Sequence, residues 1–85
     1  MIRGRVQGVS YRYWTVAEAS ARNLDGWVRN RRDGSVEAFI SGPVSTVDEM
    51  IEVCRQGPRA ARVADIEIKE ETTRAERGFQ QLPTA

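Results

Sequence analysis

The spacing of apolar and polar residues predicts two amphipathic helices. Residues 11–23 carry apolar side chains at three- and four-residue steps, which is the helical period, and Asp25-Gly26 ends this segment. A second helix is predicted from Ser45, which with Asp48 three residues later resembles a capping box, to the stop at Gly57-Pro58. The predicted packing faces are Trp14, Ala17, Ala21 and Leu24 in the first helix and Val47, Met50, Ile51 and Cys54 in the second.

Strand-like alternation occupies most of the remaining chain. Residues 27–30 and 36–40 read as the two strands of a hairpin, because Arg32-Asp33-Gly34 between them is a tight-turn signal. Residues 64–69 alternate apolar with charged side chains, as in a half-buried strand, and residues 79–82 suit a short edge strand. With a strand before the first helix, the order is βαββαβ. This order predicts an α+β fold with two helices on one face of an antiparallel sheet.

Length and composition limit the number of domains and the kinds of catalytic or metal site that the chain can form. Eighty-five residues without a repeat or linker predict a single domain over residues 1–85. The absence of histidine excludes Ser-His-Asp and Cys-His catalytic pairs and histidine-based zinc or haem sites. The one cysteine, Cys54, lies among apolar residues at helical spacing and is interpreted as inert core. No apolar run has transmembrane length, so we expect a cytoplasmic protein without a membrane partner.

Charge is distributed unevenly along the chain. Residues 1–32 contain seven arginines and only two acidic residues, whereas residues 33–54 contain five acidic residues and no basic one. Arginine presents a planar fork of donors that suits anions. An anionic ligand is therefore expected at the first third of the chain, although a solvated charged surface has the same composition.

The segment from Gly4 to Arg12 leads into the first helix and is the first candidate site. A loop of small residues before a helix can direct several backbone N–H groups at one point, and the helix dipole adds positive potential there. Arg12 would close over the same anion with a forked contact. The simpler interpretation is that two glycines before a helix only make a turn.

The second candidate is Asn30, at the end of the first hairpin strand. Asparagine is common in turns, and this is the simpler interpretation of its presence. The functional interpretation is that its amide, which both donates and accepts hydrogen bonds, orients an attacking water. Asp33 is expected to be a turn residue rather than a base, and Trp14 and Trp27 are expected to be core residues.

Together the two segments closely resemble the acylphosphatase family. Five of the seven glycines fall within the matched positions, and the likeness extends through Gly57-Pro58 to Phe79. The first family signature is matched by Gly4, Val6, Gln7, Gly8, Val9 and Arg12, and the second by Gly26, Trp27, Val28, Arg29, Asn30, Gly34, Val36 and Gly42.

The resemblance implies a ferredoxin-like α/β sandwich that hydrolyses the carboxyl–phosphate bond of small acyl phosphates, with inorganic phosphate as product. Arg12 would bind the phosphate and Asn30 would position the water. No metal, cofactor or covalent enzyme intermediate is implied, and the substrate's own phosphate oxygen would accept the water proton. The phosphate cradle would consist of the backbone N–H groups of Gln7, Gly8, Val9, Ser10, Tyr11 and Arg12.

Two features depart from the family pattern. Tyr11 stands where phenylalanine is more usual, and only three residues precede Gly4, where the family has a full strand inside the sheet. A wrongly assigned start, a truncated chain or pairing donated by another chain would each explain the short strand. We expect a monomer, unless the short strand lowers stability or drives strand exchange between molecules.

Two functions other than acyl phosphate hydrolysis are alternatives for this sequence. One is a non-catalytic domain that recognises phosphate or carbamoyl phosphate, excised from a larger protein of the hydrogenase-maturation type. The other is RNA binding by the arginine-rich first third. We do not favour RNA binding, because RNA-binding sheets of this class need exposed aromatic residues on central strands and the sequence indicates none.

Overall fold

The helices and strands follow one another in the order that the apolar pattern predicts. The computed structural model describes residues 1–85. Its elements are β1 (Ile2–Arg5), α1 (Tyr11–Ala21), β2 (Asp25–Asn30), β3 (Val36–Ser41), α2 (Val44–Gln56), β4 (Arg62–Ile66) and β5 (Phe79–Gln81). Neither helix is long and apolar enough to cross a bilayer.

The five strands form one sheet in the order β4-β1-β3-β2-β5. The four strands from β4 to β2 are antiparallel to their neighbours, whereas β5 pairs in parallel with β2. Residues of both helices join those of β1, β2 and β3 in one buried cluster, so the helices share one face of the sheet. The predicted ferredoxin-like α+β class is confirmed, but the edge strand makes the sheet mixed rather than wholly antiparallel.

The buried face of α1 differs from the predicted one. Tyr11, Thr15 and Ala19 are buried at four-residue steps, whereas Ala17 and Ala21 are exposed. Thr15 can occupy the packed face because its hydroxyl donates to the carbonyl oxygen of Tyr11 at 2.8 Å, so no polar atom is buried unpaired. The apolar spacing predicted the helix and the packing of Trp14 and Leu24 correctly, and the burial of Ala17 and Ala21 incorrectly.

The start of α2 also differs from the prediction. The helix begins at Val44, with Pro43 as its N-cap and no side-chain capping hydrogen bond, so the expected box between Ser45 and Asp48 does not form. Its predicted apolar stripe does face the core. Met50 and Cys54 from this stripe are buried, and Val47 packs against the same cluster.

The short strand β1 lies between β3 and β4 and faces a β-bulge in β4, where Val63 and Ala64 oppose Gly4. It pairs with β4 at four positions but with β3 only through Ile2 and Val36. Gly4, at the register shift, has φ of 128°, and a Cβ there would collide with the carbonyl oxygen of Arg62. The bulge shifts the alternation of β4, so Ala64 is exposed rather than on the buried side as predicted.

A cleft of about 800 Å³ opens beyond the N-terminal end of β1. Residues 37–42, in β3 and directly after it, form one wall of the cleft, and residues 66–71 form the other. Helix α2 forms the floor. Ile68 lines the cleft with 52% of its surface exposed, although its alternation with Ile66 predicts an inward-facing side chain. The first strand, β1, itself has four residues, in agreement with its predicted shortness.

The sheet face opposite the helices carries aromatic residues. Trp27 and Phe39 are directly opposite in the β2–β3 pair, with ring centroids 6.0 Å apart, and the guanidinium of Arg29 lies 4.7 Å from the Trp27 ring. Trp27 is therefore not a core residue as expected, whereas Trp14 does pack against the core. Both rings are half-buried rather than exposed, so they do not contradict the expectation that the central strands lack exposed aromatic residues.

Candidate active site

A row of unpaired backbone donors lies where β1 leads into α1. Gly8 and Ser10 adopt left-handed conformations, with φ of 72° and 63°, and the first hydrogen bond of the helix runs from Trp14 N to Ser10 O. None of the N–H groups from residue 7 to residue 13 donates to an acceptor in the protein. The first turn of α1 also contains no acidic residue. These N–H groups therefore lie at the positive end of the helix dipole with no acidic side chain from the first turn to neutralise them.

Arg12 lies in this first turn and carries an uncompensated charge. Its side chain is half-buried and takes part in no salt bridge. The arginines of the neighbouring hairpin are different, because Arg29 and Arg31 both contact Glu37, at 2.8 and 3.1 Å. Arg12 is thus the cation of this region that is both partly shielded from water and available to a ligand.

The side chain of Gln7 connects the loop to the β2–β3 hairpin. Its Nε2 donates to the carbonyl oxygens of Arg31, at 2.7 Å, and Ser35, at 2.8 Å. Asn30, the last residue of β2, directly precedes Arg31, and its side chain makes no hydrogen bond within the protein. The fold therefore brings the loop and Asn30 to the same end of the sheet, as the pairing of the two segments predicted.

The end of the chain runs beside Asn30. The N–H of Ala85 donates to the carbonyl oxygen of Asn30 at 3.0 Å, and the N–H of Arg32 donates to Ala85 O at 3.0 Å. These bonds extend the contact between β5 and β2 to the hairpin end. The sequence contained no local signal for this neighbour, because residues 83–85 have no strand-like alternation. The contacts of the Gln7 side chain were also missed, because its partners are 24 and 28 residues away in sequence.

Asp33 has the contacts of a turn residue. Its Oδ1 accepts hydrogen bonds from the Ser35 hydroxyl, at 2.6 Å, and from the Ser35 N–H, at 2.9 Å. The hydrogen bond from the hydroxyl is the main reason that the pKa of Asp33 lies below its usual value. An ionised, hydrogen-bonded carboxylate of this kind is a weak proton acceptor, which agrees with the structural role expected for Asp-Gly.

Cys54 and Tyr11 contact one another beneath the loop and belong to the core. Burial raises the pKa of the Cys54 thiol to about 11, so it stays protonated at neutral pH and is a poor nucleophile. The Tyr11 hydroxyl donates to the Cys54 carbonyl oxygen at 2.6 Å. This carbonyl is in the last turn of α2, where carbonyl groups lack helical partners. Tyrosine in place of the family's usual phenylalanine therefore has a structural function here.

Comparisons with known proteins agree on one family. The acylphosphatase family model matches residues 1–81. The chain is 52% identical over 90 residues to an acylphosphatase of Nitrobacter hamburgensis, covering 99% of this chain and 91% of that protein. The crystal structure of acylphosphatase from Bacillus subtilis superposes with a TM-score of 0.90 at 36% identity, covering 95% of this chain and 91% of the other.

A larger protein contains a similar fold. The crystal structure of T. kodakarensis HypF matches with a TM-score of 0.84 at 27% identity, and the match covers 99% of this chain but only 12% of that one. The likeness to the small acylphosphatases instead runs over nearly the whole length of both partners. The chain belongs to the acylphosphatase family.

Proposed function

We propose that this protein hydrolyses the carboxyl–phosphate bond of small acyl phosphates, giving a carboxylate and inorganic phosphate. The observation that carries the proposal is the row of unpaired N–H groups from Gln7 to Arg12, beside an arginine without an acidic partner. In a member of the acylphosphatase family, this arrangement is suited to a phosphoryl group.

The phosphoryl group would be bound by backbone and side chain together. The N–H groups of Gln7, Gly8, Val9, Ser10, Tyr11 and Arg12 would donate to its oxygens, and the Arg12 guanidinium would add a charge-assisted fork. These donors are held in place by the helix and the loop before substrate arrives. They therefore stabilise the charge that spreads over the phosphoryl oxygens in the transition state without a reorganisation cost.

Asn30 would hold the attacking water in line with the bond that breaks. The water oxygen bonds to phosphorus while the bond from phosphorus to the acyl oxygen breaks, and the carboxylate leaves with the electron pair. A phosphate oxygen of the substrate takes the water proton. A carboxylate is a good leaving group, so neither a strong acid nor a side-chain base is required, and positioning supplies most of the rate enhancement.

The site has groups that would bind phosphate but none that would bind the acyl group, so we infer that its substrates are a range of small acyl phosphates. We infer no nucleic-acid partner. We also infer that residues 1–85 act as one unit, as a monomer in the cytoplasm. The aromatic pair on the open sheet face does not change this inference. Trp27 and Phe39 are half-covered, and Arg29 beside them is already paired with Glu37.

The test is hydrolysis of benzoyl phosphate in the presence of EDTA. Arg12→Ala is expected to weaken phosphate inhibition and to lower kcat/KM by about 10²–10³, the usual effect of losing one preorganised donor. Asn30→Ala is expected to lower kcat by a similar factor with little change in phosphate inhibition. Arg59→Ala, at an exposed arginine without an ion pair, is the control and should keep wild-type rates. Wild-type rates in both site variants would show that the assignment is wrong.

The alternative is a domain that recognises phosphate or carbamoyl phosphate without turnover. It is less supported, because the chain spans most of a small acylphosphatase but only a small part of HypF. Isothermal titration with inorganic phosphate, carried out beside the turnover assay, separates the two functions. Phosphate binding without hydrolysis of any acyl phosphate would favour the recognition domain.

A further inference from the structure

We propose that Gln7 is a positioning residue, whose side chain sets the separation between the phosphate loop and Asn30. The inference rests on the proposed function and adds to it a residue that acts through others. In the cradle described above, only the backbone N–H of Gln7 takes part. The side chain points elsewhere, to the hairpin that presents Asn30.

The contacts of Gln7 join the two halves of the site. Its half-buried carboxamide uses both Nε2 protons, at 2.7 Å to Arg31 O and 2.8 Å to Ser35 O. Arg31 directly follows Asn30, and Ser35 directly precedes Val36, which is the cross-strand partner of Asn30. The carboxamide therefore contacts the backbone on both sides of the Asn30–Val36 pair.

The hairpin does not need Gln7 to complete its own hydrogen bonds. Arg31 O also accepts from Gly34 N at 3.1 Å, and Ser35 O also accepts from Arg31 N at 2.8 Å. Removing the carboxamide would therefore leave neither carbonyl without a donor. The substitution would remove only the hydrogen bonds that join Gln7 to Arg31, 24 residues further along the chain, and to Ser35, 28 residues further along.

This arrangement separates phosphate binding from turnover. The loop N–H groups and Arg12 lie on one continuous segment, so their mutual geometry does not depend on the hairpin. The distance from that segment to Asn30 does depend on it, and a shift of about 1 Å in a positioning group can cost 100-fold in rate. Loss of the Gln7 link should therefore lower kcat while phosphate still binds.

The experiment compares two substitutions at Gln7 with one at a matched control. Gln7→Met keeps an unbranched side chain of similar length without donors, and Gln7→Glu keeps the shape but sets a carboxylate against two carbonyl oxygens. We expect kcat for benzoyl phosphate to fall about 10- to 100-fold in Gln7→Met, and further in Gln7→Glu. The inhibition constant for inorganic phosphate should change less than about threefold. Gln56→Met, at an exposed glutamine that ends α2, should match the wild type.

A double-mutant cycle with Asn30→Ala distinguishes positioning from a general structural role. If Gln7 acts through Asn30, Gln7→Met in the Asn30→Ala background should lower kcat by less than about threefold, because the group that it positions is already absent. An equal loss in both backgrounds, or a parallel loss of phosphate binding, would overturn the inference.

A readout without turnover keeps this inference separate from the proposed function. In ¹⁵N–¹H spectra, Gln7→Met and Gln7→Glu should each shift the side-chain NH₂ signals of Asn30, and Gln56→Met should not. Unshifted Asn30 signals in folded Gln7 variants would overturn the positioning inference whatever the enzyme's activity. An inactive wild-type protein would instead overturn the proposed function.

Discussion

The two ends of β1 lead into opposite environments. At its C-terminal end the chain enters the loop from Val6 to Ser10, which the Gln7 side chain attaches to the hairpin by two hydrogen bonds. At its N-terminal end the strand is paired with β3 only at Ile2, and beyond it lies the cleft lined by Ile68. One end therefore has a defined geometry around unpaired donors, and the other borders a cleft lined by both apolar and charged side chains.

Residues at the loop end of β1 are expected to affect turnover, and residues at the cleft end are expected to affect stability. Unpaired N–H groups at the loop end can be tolerated because water reaches them, and they are useful because a phosphate can replace that water. Exposed apolar surface at the cleft end has no such use and contributes little to folding. We therefore expect substitutions at the two ends to change different measured quantities.

Gly4→Ala should have the largest effect, because it acts on the strand between the two ends. A Cβ at this position would collide with the Arg62 carbonyl oxygen at a φ of 128°, so the bulge must open and β1 must leave β4. We expect a loss of about 4 kcal/mol or more in the free energy of unfolding, which is most of the stability of an ordinary small domain. Urea denaturation measures it. Arg3→Ala, which removes only exposed ion pairs, should change the free energy of unfolding little. Equal losses in the two variants would contradict this account of the bulge.

The substitutions Ile2→Ala and Ile68→Ala compare a side chain that is packed in the core with one that is exposed at the cleft. Ile2 is 4% exposed and belongs to the core cluster, so its truncation should cost about 2–5 kcal/mol. Ile68 is 52% exposed at the cleft, so its truncation should cost less than about 1 kcal/mol. Thermal and urea unfolding give both values, and sedimentation at several concentrations reports strand exchange. A large cost at Ile68 would show that another chain fills the cleft in solution.

Tyr11→Phe should lower stability without lowering turnover, although Tyr11 lies in the predicted cradle. The substitution leaves the buried carbonyl oxygen of Cys54 without its 2.6 Å donor, at a cost of about 1–3 kcal/mol. The backbone N–H that faces the ligand is unchanged, so kcat for benzoyl phosphate should stay within about twofold of the wild type. A loss of turnover in a folded variant would show that the hydroxyl takes part in the site.

Glu37 lies between the two ends and should make stability depend on pH. Burial alone would raise its pKa, but hydrogen bonds from Arg29 and Arg31 outweigh burial and leave the pKa below its usual value. The ionised form is thus favoured by folding, so its contribution is present above the unfolded-state pKa of about 4.3 and disappears as pH falls through the lower folded-state pKa.

Glu37→Gln should therefore lose about 0.5–1 kcal/mol of stability at pH 7 and much less at pH 3, as measured by urea unfolding at both values. Glu52→Gln, in an exposed pair with Arg55, is the control and should change stability little at either pH. A pH-independent difference at Glu37 would mean that packing rather than charge explains its role.

The sequence predicted the elements and the two site segments because their signals are local. Helical and strand periods, the turn at Asp33-Gly34 and the two family signatures can each be read within a short stretch. Arg12 and Asn30 lie at a helix start and a strand end, as those stretches implied. Their catalytic roles remain proposals that the substitutions above will test.

The failed predictions share a different cause. The sequence does not show which alanines of α1 are buried, because Ala19 lies on the opposite side from Ala17 and Ala21, and the contacts of Tyr11 and Thr15 select the packed side. The bulge at Gly4 shifted the alternation of β4, and Trp27 packs with Phe39 on the face away from the helices. These outcomes depend on neighbours that are distant in sequence.

The sequence by itself thus determined the order of the elements, the family, the glycines at the turns and the residues available for phosphate chemistry, because short-range sterics and hydrogen bonding control these features. Only the tertiary structure decided that Gln7 reaches Arg31 and Ser35, that β5 runs parallel to β2, and that a cleft opens beyond β1. These features arise from contacts between residues more than 20 positions apart, and their geometry is set by how the whole chain packs around one core.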